Sequence, residues 1–364
     1  MAPHPPPERD PHPGYSAEMP KSPRPIVLVG AGGIVRDAHL PAYAKAGFEV
    51  ASITDLVPER ARDLAEQYGI RTVCADVADA VRSAPADAVY DVALPPEAHV
   101  EVLEQLPDGA AVLLQKPLGN HLAEGIRTRE VCRRKGLVAA VNTQLRFAPY
   151  VVAARELIAA GTIGELYDLE VRVSVRTPWE MFPYVLDLDR LEINMHSVHY
   201  LDLVRSFLGD PTGVHAVTVR HPEKAHANSR SDIALSYGDR PIRVVVSTNH
   251  DHHYGPRHEE SFVKWEGTRG AIRAQLGLLL DYPPRRGGLA RARHRRPARR
   301  RLAAGAVRGV LVPRRVHRLD GRGPAFSRGI DPVPAHRGRG RLPHHGGRRG
   351  GVHGCGPRGR AAAI

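Results

Sequence analysis

The apolar run Ile26-Val27-Leu28-Val29 passes without a break into Gly30-Ala31-Gly32-Gly33-Ile34-Val35. Four consecutive apolar residues suit a strand buried on both faces of a parallel sheet, and glycines directly behind it mark the turn into a helix. Gly30 permits the tight turn, and Gly32 lets a phosphate approach the backbone. The helix N-terminus then presents N–H groups and a partial positive charge to an anion. This is the dinucleotide fingerprint with one departure, Val35 at the third glycine position. A bulkier residue there is expected to loosen helix–strand packing unless Gly33 compensates. Asp55 closes the second apolar run, 25 residues after Gly30. A carboxylate at that place accepts from the adenosine ribose hydroxyls and repels a 2′-phosphate, which points to NAD rather than NADP. The competing reading is that Asp55 only caps the helix beginning at Pro58. The expected cofactor contacts of this region are Gly30, Gly32, Gly33, Ile34 and Asp55.

From Pro25 onward short apolar runs alternate with helical patterns joined by short links. Strands are expected at 26–29, 49–54, 71–73, 88–93, 111–114 and 137–141, with helices through 46 and over 58–68, 98–106 and 122–135. That rhythm describes βαβ units and right-handed crossovers, an α/β Rossmann domain on a parallel sheet. After Asn142 the rhythm changes. A helix over 150–160 is closed by Gly161. The stretch 165–177 alternates, with Leu169, Val171, Val173 and Val175 on one face. An amphipathic helix spans 194–208, and further alternating strands follow at 213–220, 231–237, 242–249 and 260–266. The expectation is an α+β second domain with a largely antiparallel open sheet. The organisation is thus a disordered Pro-rich lead (1–23), a NAD-binding Rossmann domain (24–142), a substrate and oligomerisation domain (143–282) and an irregular Arg/Gly/Pro-rich tail (283–364).

The net charge of +13 belongs to that tail. Residues 283–364 hold 22 Arg, no Lys, two Asp and no Glu, a balance of +20, so residues 1–282 carry −7. The main body therefore has the charge of an ordinary acidic enzyme, and nucleic acid is not an expected partner. Arg, Gly, Ala and Pro, the residues of GC-rich codons, supply 58 of the tail's 82 positions. The tail reads either as an Arg/Gly-rich nucleic-acid segment or as the product of a frameshift. Without Lys, and with Phe326 as its one aromatic residue, it fits the frameshift better, which would leave the second domain without its last strand and helix. Cys74, Cys132 and Cys355 are scattered and show no metal spacing, as suits a reducing cytosol. No run of about 18 apolar residues and no secretory signal is present, so a cytoplasmic location is expected.

Further motifs follow in a fixed order. Leu94-Pro95-Pro96-Glu97-Ala98-His99 comes after the fourth strand and Gln115-Lys116-Pro117 after the fifth. Asn142-Thr143-Gln144-Leu145-Arg146-Phe147 opens the second domain, and Gly161-Thr162-Ile163-Gly164-Glu165 precedes its first strand. His199-Tyr200-Leu201-Asp202 lies on the central helix, and Glu266-Gly267-Thr268-Arg269-Gly270 closes a late hairpin. In this order and spacing the chain resembles, over about residues 25–282, the Gfo/Idh/MocA family of oxidoreductases, which includes glucose–fructose oxidoreductase and inositol dehydrogenases. The resemblance implies hydride transfer between NAD and a hydroxyl or keto carbon of a sugar, inositol or small polyol. It places Lys116 and His199 at the reactive carbon, with a Lys116-Pro117 bond that is commonly cis. Pro95, His99, Gln115 and Lys116 join the cofactor contacts, and Gln144, Arg146, Trp179, His196 and His199 the substrate contacts. Trp179 and Tyr184 are placed to stack on a sugar ring or to pack the interior. A homodimer or homotetramer formed through the open sheet face is a further implication.

The residue types suit that chemistry. Histidine titrates near pH 6.5, so it can take a hydroxyl proton as hydride leaves. A lysine ammonium stabilises charge growing on the substrate oxygen, and a parallel strand's carboxyl end is where α/β sheets bind ligands. Two positions depart from the family: Gln115 stands where Glu is usual, and Met195 where Asp is frequent. Asp202, one turn beyond His199, is then a candidate charged partner for it, with His196, Glu192 and Asn194 as nearby polar groups. His250, Asp251, His252 and His253 suggest a metal cluster, but their spacing fixes no coordination geometry and hydride transfer to NAD needs no metal, so none is expected. The alternatives to a dehydrogenase are a NAD-assisted glycosidase of the same family and a catalytically weakened binding protein.

Overall fold

The computed structural model describes residues 18–179, 188–224, 228–277 and 289–294. Tyr184 and most of the Pro-rich lead and the Arg-rich tail lie outside them, and so do the expectations attached to those segments.

Six strands, β1 (Ile26–Val29), β2 (Val50–Thr54), β3 (Thr72–Val73), β4 (Val89–Val92), β5 (Ala111–Leu114) and β6 (Val138–Val141), form a wholly parallel sheet in the order β3-β2-β1-β4-β5-β6. The order reverses between β1 and β4, and such a switch point opens a crevice at the strands' carboxyl ends. Helices α1 (Leu40–Ala46), α2 (Pro58–Tyr68), α3 (Val77–Ser83), α4 (His99–Gln105) and α5 (Leu122–Arg134) make the crossovers. β1 is buried along its whole length, as four uninterrupted apolar residues require. Helix α3 was not foreseen, although its N-cap is visible in the sequence: the Asp76 carboxylate accepts the Asp79 N–H at 2.7 Å.

The turn after the glycines is π-helical over Val35–His39 before α1 begins. Its extra residue per turn widens the helix where the third glycine is missing. Val35 is fully buried against Leu28 and Leu40, so the expected loosening does not occur.

Beyond α6 (Pro149–Ala159), a second sheet runs β13-β12-β11-β7-β10-β9-β8. Its strands are β7 (Leu166–Ser174), β8 (Gly213–Val219), β9 (Arg230–Ser236), β10 (Arg243–Asn249), β11 (Glu260–Gly267), β12 (Gly270–Gln275) and β13 (Leu289–His294). Every pair is antiparallel except β7 with β10. The inward residues of β7, Leu169, Val171 and Val173, pack with Trp265 against Tyr200, Leu203 and Val204 of α7 (Val198–Leu208). Each such fully buried aliphatic side chain stabilises the fold by about 1.5–3 kcal/mol. The opposite face carries a charge network in which Lys264 Nζ reaches Asp168, Glu170 and Glu266. The strand β13 falls within the segment read as an irregular tail. It satisfies the backbone groups that β12 would otherwise leave open at the sheet edge.

Two motifs read separately in the sequence clasp each other. The Arg269 N–H donates to the Ile163 carbonyl (2.8 Å), the Thr268 N–H donates to the Glu165 carbonyl (2.9 Å), and the Arg269 guanidinium donates to the Gly161 carbonyl. A Cβ on Gly267 would stand 2.3 Å from the Ile163 carbonyl oxygen, so only glycine lets the hairpin seat there. No helix among the described residues is long and apolar enough to cross a membrane.

Candidate functional site

The glycine turn sits at the crevice. Gly30 has φ +110°, and a Cβ there would lie 2.7 Å from the Ala93 carbonyl oxygen of the neighbouring strand end. Gly32 faces open space, with nothing within 4 Å of where its Cβ would be. A groove of about 320 Å³ lies beside it, bordered by Ala31, Gly33, Arg36 and Arg60. Asp55 follows β2, and its carboxylate accepts the Ala31 N–H (2.6 Å) and the Val57 N–H (2.8 Å). It therefore ties the glycine turn to Val57, the residue before α2, but does not cap the helix, whose N-terminus has no side-chain cap hydrogen bond. A carboxylate offers about four acceptor positions, so two remain for ribose hydroxyls. Ile34 stands exposed at the mouth of the turn. A cradle without side chains, beside a helix start and a carboxylate, fits a dinucleotide.

Pro95 precedes a short 3₁₀ turn over Pro96–Ala98 that opens the crevice wall after β4. His99, expected among the cofactor contacts, is fully buried, with Nε2 3.1 Å from the Leu94 carbonyl oxygen. Burial lowers its pKa, and it props the loop from beneath rather than facing a ligand.

Gln115 ends β5 in a buried network that the sequence did not announce. Nδ1 of His39 lies 2.7 Å from Asp91, whose carboxylate also accepts the Tyr43 hydroxyl at 2.8 Å. Because a carboxylate only accepts, the proton of His39 sits on Nδ1, and Nε2 accepts from the amides of Gln115 (3.2 Å) and Asn142 (3.1 Å). Gln115 Oε1 in turn accepts the main-chain N–H of Lys116 at 2.8 Å. The one available clue was Asp91, a charge in the middle of an otherwise apolar parallel strand.

The Lys116-Pro117 bond is cis. Lys116 Nζ reaches the second sheet's helical layer and donates to the Met195 carbonyl at 3.2 Å. That position has only a main-chain oxygen for the ammonium, and burial pushes the lysine pKa down to about 8. Asn194 fastens the same segment by donating to the Asn120 carbonyl at 3.0 Å. His199 follows on α7. Its Nδ1 is buried without a hydrogen-bond partner among the described residues, and burial, then the Lys116 charge, push its pKa down to about 4. Asp202 is not its hydrogen-bond partner: the Arg146 guanidinium forks onto both Asp202 oxygens, and the Asp202 charge only partly opposes the downward shift at His199. Arg146, expected at the substrate, thus holds the 3₁₀ turn Gln144–Phe147 to α7, while Gln144 is exposed.

Trp179 is buried against the rings of His196 (5.6 Å) and His250 (5.8 Å), which favours packing over stacking on a sugar. His196 lies in a π-helical turn, Ile193–Ser197, and desolvation followed by its charged neighbours holds its pKa well below the ordinary imidazole value. The four-residue run at 250–253 disperses. His250 bonds to Thr177 (2.9 Å), His252 to Ser174 (3.3 Å), and Asp251 takes Lys224 and Ser229.

Comparison with known proteins bears on both sheets of the fold. Residues 24–143 match the model of an oxidoreductase family with an NAD-binding Rossmann fold, and residues 151–273 match the GFO/IDH/MocA C-terminal domain. D-apiose dehydrogenase of Paraburkholderia graminis is 26% identical over 71% of this chain and 70% of its own. The 1,5-anhydro-D-fructose reductase of Ensifer adhaerens is 28% identical over 67% and 74%. A crystal structure of an oxidoreductase from Agrobacterium radiobacter in complex with NAD+, L-tartaric acid and magnesium superposes with a TM-score of 0.61. It is 23% identical and covers 69% of this chain and 74% of its own.

Proposed function

The chain belongs to the GFO/IDH/MocA family of oxidoreductases and, as its relatives' names show, is a dehydrogenase or reductase acting on sugar hydroxyl groups. From that premise we propose that it moves a hydride between NAD and a secondary alcohol or ketone carbon of a sugar, inositol or related polyol. The carrying observation is the meeting of Lys116, from the end of β5, with the segment that bears His196 and His199, sealed by the Lys116 Nζ to Met195 oxygen contact.

The bound nicotinamide supplies or takes the hydride. The chain's own groups handle the proton and the oxygen. His199 is neutral at pH 7, so its imidazole keeps a lone pair for the hydroxyl proton. Lys116, still largely protonated at pH 7, donates to the same oxygen and stabilises its growing charge. Gln115 holds the lysine's main chain, and the His39–Asp91 pair holds Gln115. Asp55 supports NAD over NADP, although Arg36 and Arg60 border the same groove. Exposed Val217 and Val219, which share one face of β8, support pairing of two copies through the second sheet.

The test is NADH formation against a panel of sugars and polyols, with Lys116→Ala and His199→Ala as controls. Turnover of one member that falls at least about 100-fold in both variants supports the reading. Equal rates in wild type and variants, or a glycoside cleaved without net NADH, would reject it.

A further inference from the structure

One turn before His199, three side chains from two elements converge on one small volume. Glu192 immediately precedes the π-helical turn that carries His196, and His250 directly follows β10. One ligand atom from each lies within 4.8 Å of the others. Glu192 and His250 are fully buried. His196 Nδ1 and His250 Nε2 are buried and have no hydrogen-bond partner among the described residues. The Glu192 oxygen Oε1 stands 3.6 Å from His250 Nε2, beyond hydrogen-bond range. Interior polar atoms are almost always paired, so two unpaired imidazole nitrogens beside a buried carboxylate require a reason.

The surroundings already orient two of these groups, Glu192 and His250, as ligands. The Ser197 hydroxyl lies 2.9 Å from both Glu192 oxygens and steadies the carboxylate. Thr177 Oγ1 lies 2.9 Å from His250 Nδ1, and a proton on Nδ1 leaves the Nε2 lone pair facing Glu192. Such outer hydrogen bonds fix the tautomer and aim of metal-bound side chains. Trp179 and Leu191 wall the cluster with apolar surface.

We propose that Glu192, His196 and His250 form a binding site for one divalent transition cation of the zinc class. Two imidazoles and one carboxylate suit zinc, cobalt or nickel better than magnesium or calcium, which prefer oxygen alone. Three protein donors are also the count of a site that keeps its fourth position for water or a substrate oxygen. Zinc–nitrogen bonds of about 2.0–2.1 Å set tetrahedral donors roughly 3.3 Å apart, so the cluster closes slightly around the ion. The His196 and His250 rings stack at 4.0 Å with 14° between planes, and it is His196, partly exposed, that turns out of the stack to bind. The sequence hid this set because its members are separated by up to 58 positions, while the adjacent His252 and Asp251 are engaged elsewhere.

The test uses the full chain stripped by chelator, titrated with Zn²⁺ by calorimetry and with Co²⁺ by visible absorption. One equivalent should bind, with Co²⁺ bands of a low-symmetry nitrogen–oxygen site. His196→Asn, which removes a partly exposed ring, and Glu192→Gln should each weaken binding by about 100-fold, and Ser197→Ala by about 10-fold. Absence of stoichiometric binding overturns the proposal. So does binding that His196→Asn leaves unchanged in a folded protein, because the ion is then held by other histidines. Neither readout uses turnover, so failure here leaves the hydride-transfer reading untouched.

Discussion

The Asp91 carboxylate and Nδ1 of His39 stand 2.7 Å apart in the interior, where Asp91 is 1% exposed and His39 7%. This pair explains the amide at position 115. With its proton committed to Asp91, His39 presents only a lone pair from Nε2, and a neutral amide N–H satisfies it. A carboxylate at 115 would set two acceptors against each other, and a buried unpaired acceptor costs about 1–3 kcal/mol. Gln115 is therefore part of a matched network rather than an isolated loss of charge.

Gln115→Glu should add to the pH dependence of stability a component that the parent's network lacks. The folded variant must hold a bridging proton between the introduced carboxylate and His39. The unfolded chain releases its protons near the ordinary values of about 4.3 for Glu and 6.5 for His. Above about pH 6.5 the folded state then binds more protons than the unfolded one, and stability falls by up to roughly 1.4 kcal/mol per pH unit. Urea unfolding at pH 6 and pH 8 measures the difference. Parallel behaviour of variant and parent would refute the network.

Much of the fold was legible because its signals are local. The run Ile26–Val29 had to be a doubly buried strand, and the alternation through Leu169, Val171 and Val173 had to face a core. The glycine turn was legible for the same reason, whereas Lys116 and His199 were singled out through the order of motifs on which the family resemblance rests. What was not legible depends on distance in the chain. Asp202 is one turn from His199, yet Arg146, 56 residues away, claims it. His250 was read with its sequence neighbours, whereas its spatial neighbours are Glu192 and His196. Helical spacing also misleads where the helix is wound as a π turn, as at Ile193–Ser197.

The pH profile of alcohol oxidation should have two limbs of known ownership. His199 accepts a proton only when neutral, above about pH 4, and Lys116 keeps its charge only below about pH 8. kcat/KM should therefore rise through the first value and fall through the second. Lys116→Arg should remove the alkaline limb, since guanidinium stays charged. Burial also disfavours the lysine's charged form, so stability should climb between pH 8 and 10.5, by about 3 kcal/mol in all. An alkaline limb that survives Lys116→Arg would assign it to another group.

Asp55 is expected to do two separable things. Asp55→Asn keeps one oxygen for the Ala31 or Val57 N–H, so the glycine turn should lose only about 1 kcal/mol. Cofactor choice should move further, because the charge that repels a 2′-phosphate is gone while Arg36 and Arg60 remain beside the groove. The ratio of NADP to NAD dissociation constants should shift toward NADP by about tenfold or more, corresponding to about 1.4 kcal/mol. An unchanged ratio in a folded variant would mean that Asp55 serves the turn alone.

The clasp between Gly161–Glu165 and Glu266–Gly270 should behave as a single unit in stability. At Gly267 even a methyl group meets the Ile163 carbonyl at 2.3 Å, and that carbonyl is held by the Arg269 N–H and has nowhere to go. Gly267→Ala must open the clasp, exposing the end of β7 and the β11–β12 hairpin, and should cost about 2–4 kcal/mol. Gly32→Ala meets nothing within 4 Å and should leave unfolding unchanged while weakening NAD binding, because its methyl group occupies the space above the turn. Thermal unfolding with and without NAD separates the two. If Gly267→Ala melts with wild type, the clasp closes without Gly267; if Gly32→Ala is stabilised by NAD as fully as wild type, the dinucleotide lies elsewhere.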